Sequence, residues 1–213
     1  VDNPRRMGKI VLYGTSIQQG GCASRTGMVP SAMIQRDFNL ECVNLATSGQ
    51  ARMDFYIAQA MASIDDAICY VIDPVPNCTK DRCDTATYDF IKILRTLRPE
   101  VPIIMVEGLM YPYTRHDSYL AEYLPQKNEC FHNGYELHKK EHPKGLYYMT
   151  QDGQTGPEME GTVDGIHLTD YGFRAYADLL EIKIKEALDK TKVKYGLKPA
   201  YNVVRKKTRA QRK

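Results

Sequence analysis

The chain has 213 residues, 43% of them hydrophobic and 26% charged; such a chain is one ordinary globular domain, long enough to bury roughly two-thirds to three-quarters of its unfolded surface. No apolar run approaches the roughly 18 to 20 residues of a membrane span, so no membrane-spanning helix is expected. The formal charge of +3 is unevenly placed: residues 195–213 carry seven basic side chains and no acid, and subtracting seven from +3 leaves −4 for residues 1–194, a mildly acidic body that argues against a nucleic-acid-binding domain.

The first apolar run, residues 9–14, is short and nearly continuous, the pattern of a strand buried on both faces. It ends in Gly14-Thr15-Ser16-Ile17, a strand-terminating turn that also presents a serine hydroxyl. After a helix predicted over 29–38, a second strand over 41–46 runs into Thr47-Ser48-Gly49. Gly49 lets backbone approach a ligand closely and offer an unobstructed N–H, and Arg52 stands just beyond it. A helix over 53–64 leads to a third strand over 67–73, followed by Pro74-Val75-Pro76-Asn77-Cys78. The two prolines fix φ on either side of Val75 and stiffen the loop. An amide held rigidly at Asn77 can donate to a developing oxyanion without reorganising. Helices over 85–97, 118–140 and 169–190 alternate with strands over 102–108 and 146–150. Tyr111, Tyr113 and Arg115 follow the fourth strand, where they are placed to line a substrate crevice.

Five βα units in series predict an α/β fold: a three-layer α/β/α sandwich around a five-stranded parallel sheet of flavodoxin-like order 2-1-3-4-5. Right-handed crossovers then place every strand's C-terminal end on one edge, and ligands bind in the crevice outside it. Residues 1–194 form this domain and 195–213 a basic, solvated tail. The chain opens on Val1 with no signal-peptide pattern, which implies that something preceded it and leaves the compartment weakly constrained, export being slightly favoured over the cytoplasm.

Just before the last helix stands Asp164-Gly165-Ile166-His167-Leu168-Thr169, with Thr169 suited to cap the helix that carries Tyr171 and Tyr176. A serine hydroxyl is a poor nucleophile at neutral pH; it needs an imidazole to take its proton and an anion to stabilise the imidazolium that forms. Asp-x-x-His supplies both groups within one turn of chain. The predicted topology brings Ser16 and His167 to the same edge.

The six cysteines contain no C-x-x-C pair and no zinc-finger spacing, so metal binding is not expected. Cys42 and Cys69 fall in predicted strands as small buried hydrophobes, while Cys78 and Cys83 are compatible with a disulfide or with free thiols. His138 and His142 sit four residues apart on a charged helix without a third ligand nearby, and are read as solvated.

With serine, glycine, asparagine and Asp-x-x-His in this order, each at a predicted strand end, the chain resembles the SGNH hydrolase superfamily of GDSL-like esterases, lipases and acylhydrolases. The resemblance covers about residues 9–188. Its specific blocks are Tyr13-Gly14-Thr15-Ser16-Ile17-Gln18-Gln19-Gly20-Gly21 and Asp164-Gly165-Ile166-His167-Leu168-Thr169-Asp170. The first block is most similar to the bacterial branch that reads G-T-S-I-x-Q-G-G-C-A-S-R, matched here through Arg25. Two positions depart from the family pattern: Thr15 stands where aspartate is frequent, and Pro76-Asn77-Cys78 replaces glycine-x-asparagine-aspartate. The resemblance implies a catalytic triad of Ser16 as nucleophile, His167 as general base and Asp164 as its orienting partner. It also implies an oxyanion hole of the Ser16 and Gly49 N–H groups and the Asn77 amide, and a mechanism without metal or organic cofactor. The expected activity is hydrolysis of short-chain acyl esters, acetyl esters foremost, with carbohydrate esters among the candidate substrates; Arg52, Tyr111 and Arg115 are the candidate substrate-binding residues. The partner is thus a small-molecule or carbohydrate ester. The alternatives are an acyltransferase using the same acyl-serine, or a carbohydrate-binding relative that has lost catalysis.

Overall fold

The structure is a computed structural model that describes residues 7–191, 193 and 195; apart from Tyr195, the proposed basic tail lies outside the described residues. Strands β1 (Lys9–Gly14), β2 (Glu41–Asn44), β3 (Ala67–Asp73), β4 (Ile103–Val106) and β5 (Leu146–Met149) pair in parallel in the order β2-β1-β3-β4-β5. Six α-helices among the described residues connect or flank them: α1 (Ser16–Gln19), α2 (Pro30–Phe38), α3 (Phe55–Ala62), α4 (Lys80–Leu97), α5 (Ser118–Glu141) and α6 (Asp170–Thr191).

Because successive side chains of a strand point to opposite faces, β1 feeds two cores. Ile10 and Leu12 pack with Met33, Ile34 and Phe38 of α2 and with Phe173, Leu180 and Ile184 of α6. Val11 and Tyr13 pack on the other face with Ala58 and Met61 of α3, Phe90 and Leu94 of α4 and Phe131 of α5. Each such fully buried aliphatic side chain contributes about 1.5–3 kcal/mol, which is what fixes the strand register against a one-residue slip. The three-layer α/β/α sandwich and the order 2-1-3-4-5 are as the sequence predicts. None of the described helices is long and apolar enough to cross a membrane.

Several local expectations are corrected. The edge strand β2 is half-buried to exposed along its length, not sealed on both faces, because an edge strand has a neighbour on one side only and its helices overlap it incompletely. Helix α4 begins at Lys80 rather than at 85: the Thr79 hydroxyl accepts from the Arg82 N–H at 3.1 Å, and the polar first turn hides the fully buried Cys83. Helix α3 starts two residues late because Met53 adopts φ +56°, where its N–H donates to the Tyr13 hydroxyl at 2.9 Å. All six cysteines are free thiols, Cys78 and Cys83 both buried; Cys42 is only half-buried, not the sealed hydrophobe expected. His138 is not solvated. It is 1% exposed, wedged between Tyr88 of α4 and His142, and burial, with the neighbouring His142 and Arg95 adding to it, pushes its pKa down to about 4.

Candidate active site

The turn that presents Ser16 is built by small residues and hydrogen bonds. Gly14 closes β1 where a Cβ would lie 2.7 Å from the Gln18 Cβ and 2.9 Å from the Asp73 carbonyl oxygen, so no side chain fits. The Thr15 hydroxyl caps α1 by accepting from the Ile17 N–H, which leaves Ser16 as its first residue at the C-terminal edge of the sheet. Gly20, at φ +98°, ends the helix, and the Gly20 and Gly21 N–H groups both return to the Ser16 carbonyl. From β2, the Asn44 amide donates to the Gln18 carbonyl at 2.9 Å. The terminating-turn reading and the nucleophile reading of Gly14-Thr15-Ser16 are thus compatible: the same cap that ends the strand exposes the hydroxyl.

The other half of the site arrives from the far end of the chain. The Asp164 carboxylate folds back over its own loop, its Oδ1 accepting from the N–H groups of Ile166 (2.9 Å) and His167 (2.7 Å). Its Oδ2 lies 2.7 Å from His167 Nδ1, and His167 Nε2 lies 3.0 Å from Ser16 Oγ. The structure therefore brings together residues 151 positions apart in the relay serine–imidazole–carboxylate. The hydrogen bond to His167, joined by the two backbone N–H groups, holds the Asp164 carboxyl well below the usual carboxylate range, so the group opposite Nδ1 is an anion. This orients the ring with Nδ1 protonated and Nε2 free to accept from Ser16. Thr169 caps α6 by accepting from the Gly172 N–H at 3.2 Å, holding the loop in place.

The remaining expected donors lie on the loops after β2 and β3. Gly49 has φ +71°, and a Cβ there would meet nothing within 4 Å, so its backbone faces open space. Neither its N–H nor that of Ser16 is spent on a hydrogen bond among the described residues. The Ser48 N–H donates to Gln19 Oε1 at 3.0 Å, which ties the Gly49 loop to α1. Asn77 ends a single 3₁₀ turn, Val75–Asn77. Its Oδ1 accepts from the Ala51 N–H at 3.3 Å; since that partner can only donate, the amide oxygen must face it, and Nδ2 is the group Asn77 has left to offer.

Of the three candidate substrate contacts, Arg52 is exposed beside the Gly49 carbonyl, to which it donates at 3.4 Å, and Arg115 is exposed in the 3₁₀ segment Pro112–His116. Tyr111 is 7% exposed and belongs to the core; it backs the crevice instead of lining it, stacked under Tyr113 with ring centroids 5.6 Å apart. Tyr113 in turn lies on the loop of Asp164 and His167, 2.8 Å from where a Gly165 Cβ would stand. Two further neighbours escaped sequence reasoning. Gly21 sits 3.6 Å, at its Cβ position, from His167 Cδ2, and both the N–H and the hydroxyl of Ser24 donate to the Asp170 carboxylate, latching the loop after α1 to the first turn of α6. Only their presence in the first block, beside the serine, hinted at such roles.

The crevice is open, with 29% of the His167 side chain and 48% of the Asp164 side chain exposed. A cavity of about 640 Å³ lies elsewhere, lined by Tyr135, Lys139, Leu146 and Lys183; Leu146 begins β5, so that cavity is at the opposite edge of the sheet and contains none of these groups. No cluster of three or more metal-ligating side chains occurs among the described residues.

Comparison with known proteins places these features in context. The model of the GDSL-like Lipase/Acylhydrolase family matches residues 7–185. Among solved structures, one described as a GDSL-like lipase from Bacteroides ovatus is 34% identical, with a TM-score of 0.79 over 88% of this chain and 55% of that one. A lipase/acylhydrolase from Enterococcus faecalis is 16% identical, TM-score 0.69, over 90% of this chain and 99% of that one. A family two carbohydrate esterase from Clostridium thermocellum, in complex with cellohexaose, is 18% identical, TM-score 0.63, over 85% and 65%. The chain thus spans about half the length of the Bacteroides ovatus protein. No curated protein matches it.

Proposed function

Since the chain belongs to the GDSL-like lipase/acylhydrolase family, we propose that it is a serine esterase acting on short acyl esters through an acyl-serine. The observation that carries this reading is the unbroken relay from Ser16 Oγ through His167 to the Asp164 anion. Ser16 Oγ attacks the ester carbonyl as His167 Nε2 takes its proton, and the tetrahedral oxyanion is met by the Ser16 and Gly49 N–H groups and Asn77 Nδ2. His167 then gives the proton to the leaving alcohol. Water, deprotonated by the same imidazole, releases the acid and restores Ser16. The exposure of His167 and Asp164 favours water as the acceptor over a sequestered alcohol. Adding an acceptor alcohol and analysing the products distinguishes the two.

The substrate follows from the walls. Exposed Arg52 and Arg115 and the Tyr113 ring present hydrogen-bond donors and a flat face, which suit a hydroxylated alcohol such as a sugar better than an alkyl chain. The carbohydrate esterase among the structural neighbours is an instance of this fold in that service. With p-nitrophenyl esters from acetyl to decanoyl, and acetylated oligosaccharides beside them, acetyl and propionyl are expected to give the highest kcat/KM. A preference for decanoyl would overturn the short-acyl assignment. Labelling by a fluorophosphonate, mapped to Ser16 by mass spectrometry, tests the nucleophile; modification at another serine would remove it.

Asn77 tests the oxyanion hole. An interaction made chiefly in the transition state lowers kcat and leaves KM nearly unchanged when lost. Asn77→Ala is expected to reduce kcat about 100- to 1000-fold, and steady-state kinetics at saturating ester checks it. Near-full kcat in that variant would reduce the loop to a structural turn.

A further inference from the structure

Directly beneath the catalytic pair, three polar side chains are sealed from solvent: Gln18 at 0% exposure, Asp73 at 1% and Tyr176 at 0%. Tyr176 Oη lies 2.7 Å from Asp73 Oδ2 and 3.0 Å from Gln18 Oε1. The three come from the three elements that set the reaction geometry. Gln18 is on α1, one half-turn past Ser16; Tyr176 is on α6, the helix that follows His167; Asp73 ends β3, paired in register with Gly14.

A count of protons makes the arrangement specific. A phenol has one proton to give, and both of its neighbours as placed are acceptors, so a second proton is required. If Asp73 carries it, the acid O–H donates to Tyr176 Oη and the phenol donates to Gln18 Oε1. If Asp73 is ionised, the chain must run the other way: the Gln18 amide turns over to donate Nε2 to Tyr176 Oη, and the phenol donates to the carboxylate. Asp73 Oδ1 and Gln18 Nε2 have no hydrogen-bond partner, so a charged Asp73 would be held by one bond in a dry setting, which is costly.

We propose that Asp73, Tyr176 and Gln18 form a positioning tie that holds the helix of Ser16 and the helix after His167 in register with β3, and that the tie is made by protonated Asp73. Burial pushes the Asp73 carboxyl up to about 8, the hydrogen bond from Tyr176 opposing. The titratable groups that face it are Tyr176 from α6 and Tyr111 from the segment after β4; α1 offers only the Gln18 amide and β1 the backbone of Gly14. No basic side chain among the described residues offsets its charge. A carboxyl whose folded pKa lies above its ordinary 3.8 stabilises the fold fully below that value; the contribution declines as pH rises and is gone above about 8, where the tie itself comes apart.

The proposal rests on the esterase reading for its kinetic consequence, and two measurements separate the two. The tie predicts a fall in wild-type kcat on passing about pH 8; in Asp73→Asn the amide donates to Tyr176 Oη at every pH, so kcat at pH 7 stays near wild type and that fall is absent. Tyr176→Phe keeps the ring but cuts the tie, and kcat drops roughly 10- to 100-fold with KM little changed, the signature of misaligned reacting groups. The second measurement needs no substrate: the Tm of Asp73→Asn minus that of the wild type should grow from pH 5 to pH 8 and then level. An alkaline limb that persists in Asp73→Asn, or a Tm difference independent of pH, overturns the tie. Should the wild type hydrolyse no ester in the panel, the esterase reading fails, and the Tm difference still decides the tie.

Discussion

Ser16→Ala is expected to abolish ester hydrolysis and fluorophosphonate labelling while leaving the fold intact. The hydroxyl is half-buried and its hydrogen-bond partner is His167 Nε2; α1 is held instead by the Thr15 cap, the Gly20 and Gly21 N–H groups and the Asn44 amide. Removing Oγ therefore deletes chemistry and no structural bond other than the catalytic one. In a serine–histidine–carboxylate enzyme the loss of the nucleophile costs about 10⁶ in kcat, with a residue of catalysis left by the oxyanion donors and substrate binding. The expected outcome is a kcat about a million-fold below wild type, an unchanged Tm, and retained binding of the deacetylated product alcohol by calorimetry. Hydrolysis surviving at more than a hundredth of the wild-type rate would mean that another group attacks the ester.

For Asp164→Asn the expected loss is about 10⁴ in kcat, and here the hydrogen bonds dictate the reason. Oδ1 of Asp164 accepts from two backbone N–H groups, so an asparagine must keep its oxygen there and turn its Nδ2 toward His167 Nδ1. That nitrogen then has to accept, which moves the imidazole proton to Nε2, the atom that should receive the proton of Ser16. The loop geometry survives, because both backbone bonds survive. The variant should therefore show normal Tm and KM with a collapsed kcat, and ¹⁵N NMR of His167 should report the proton on Nε2. A variant with wild-type kcat would assign the orienting role to another carboxylate.

The topology was legible because its signals are physical requirements of burial: five short apolar runs separated by amphipathic stretches admit little besides a covered parallel sheet, and the two motifs fall at strand ends where that sheet gathers its loops. What the sequence conceals is set by partners distant along the chain. Nothing local to Cys83 says that a polar turn will be the start of α4, since the Thr79 cap and the core contact together decide it. His138 reads as a surface histidine on a charged helix, yet α4 covers it with Tyr88. Tyr111 and Tyr113 are equivalent as residue types, and only their stacking order separates the ring that is core from the ring that faces the loop of Asp164 and His167. Asp73 reads as the polar end of a strand and is in fact among the most deeply buried acids, because Tyr176, more than a hundred positions later, closes over it.

The separation of Ser16 from His167 along the chain also has a kinetic meaning. Contacts of long sequence separation carry the largest loop-closure cost and form late in folding. The hydroxyl meets its imidazole only when the last helix has docked on a sheet begun by the first strand, with the Ser24 to Asp170 latch closing over the same span. On the proposed esterase reading, labelling of Ser16 by a phosphonate is a clock for the final step of refolding: circular dichroism is expected to recover first, and the ability to be labelled to lag behind it.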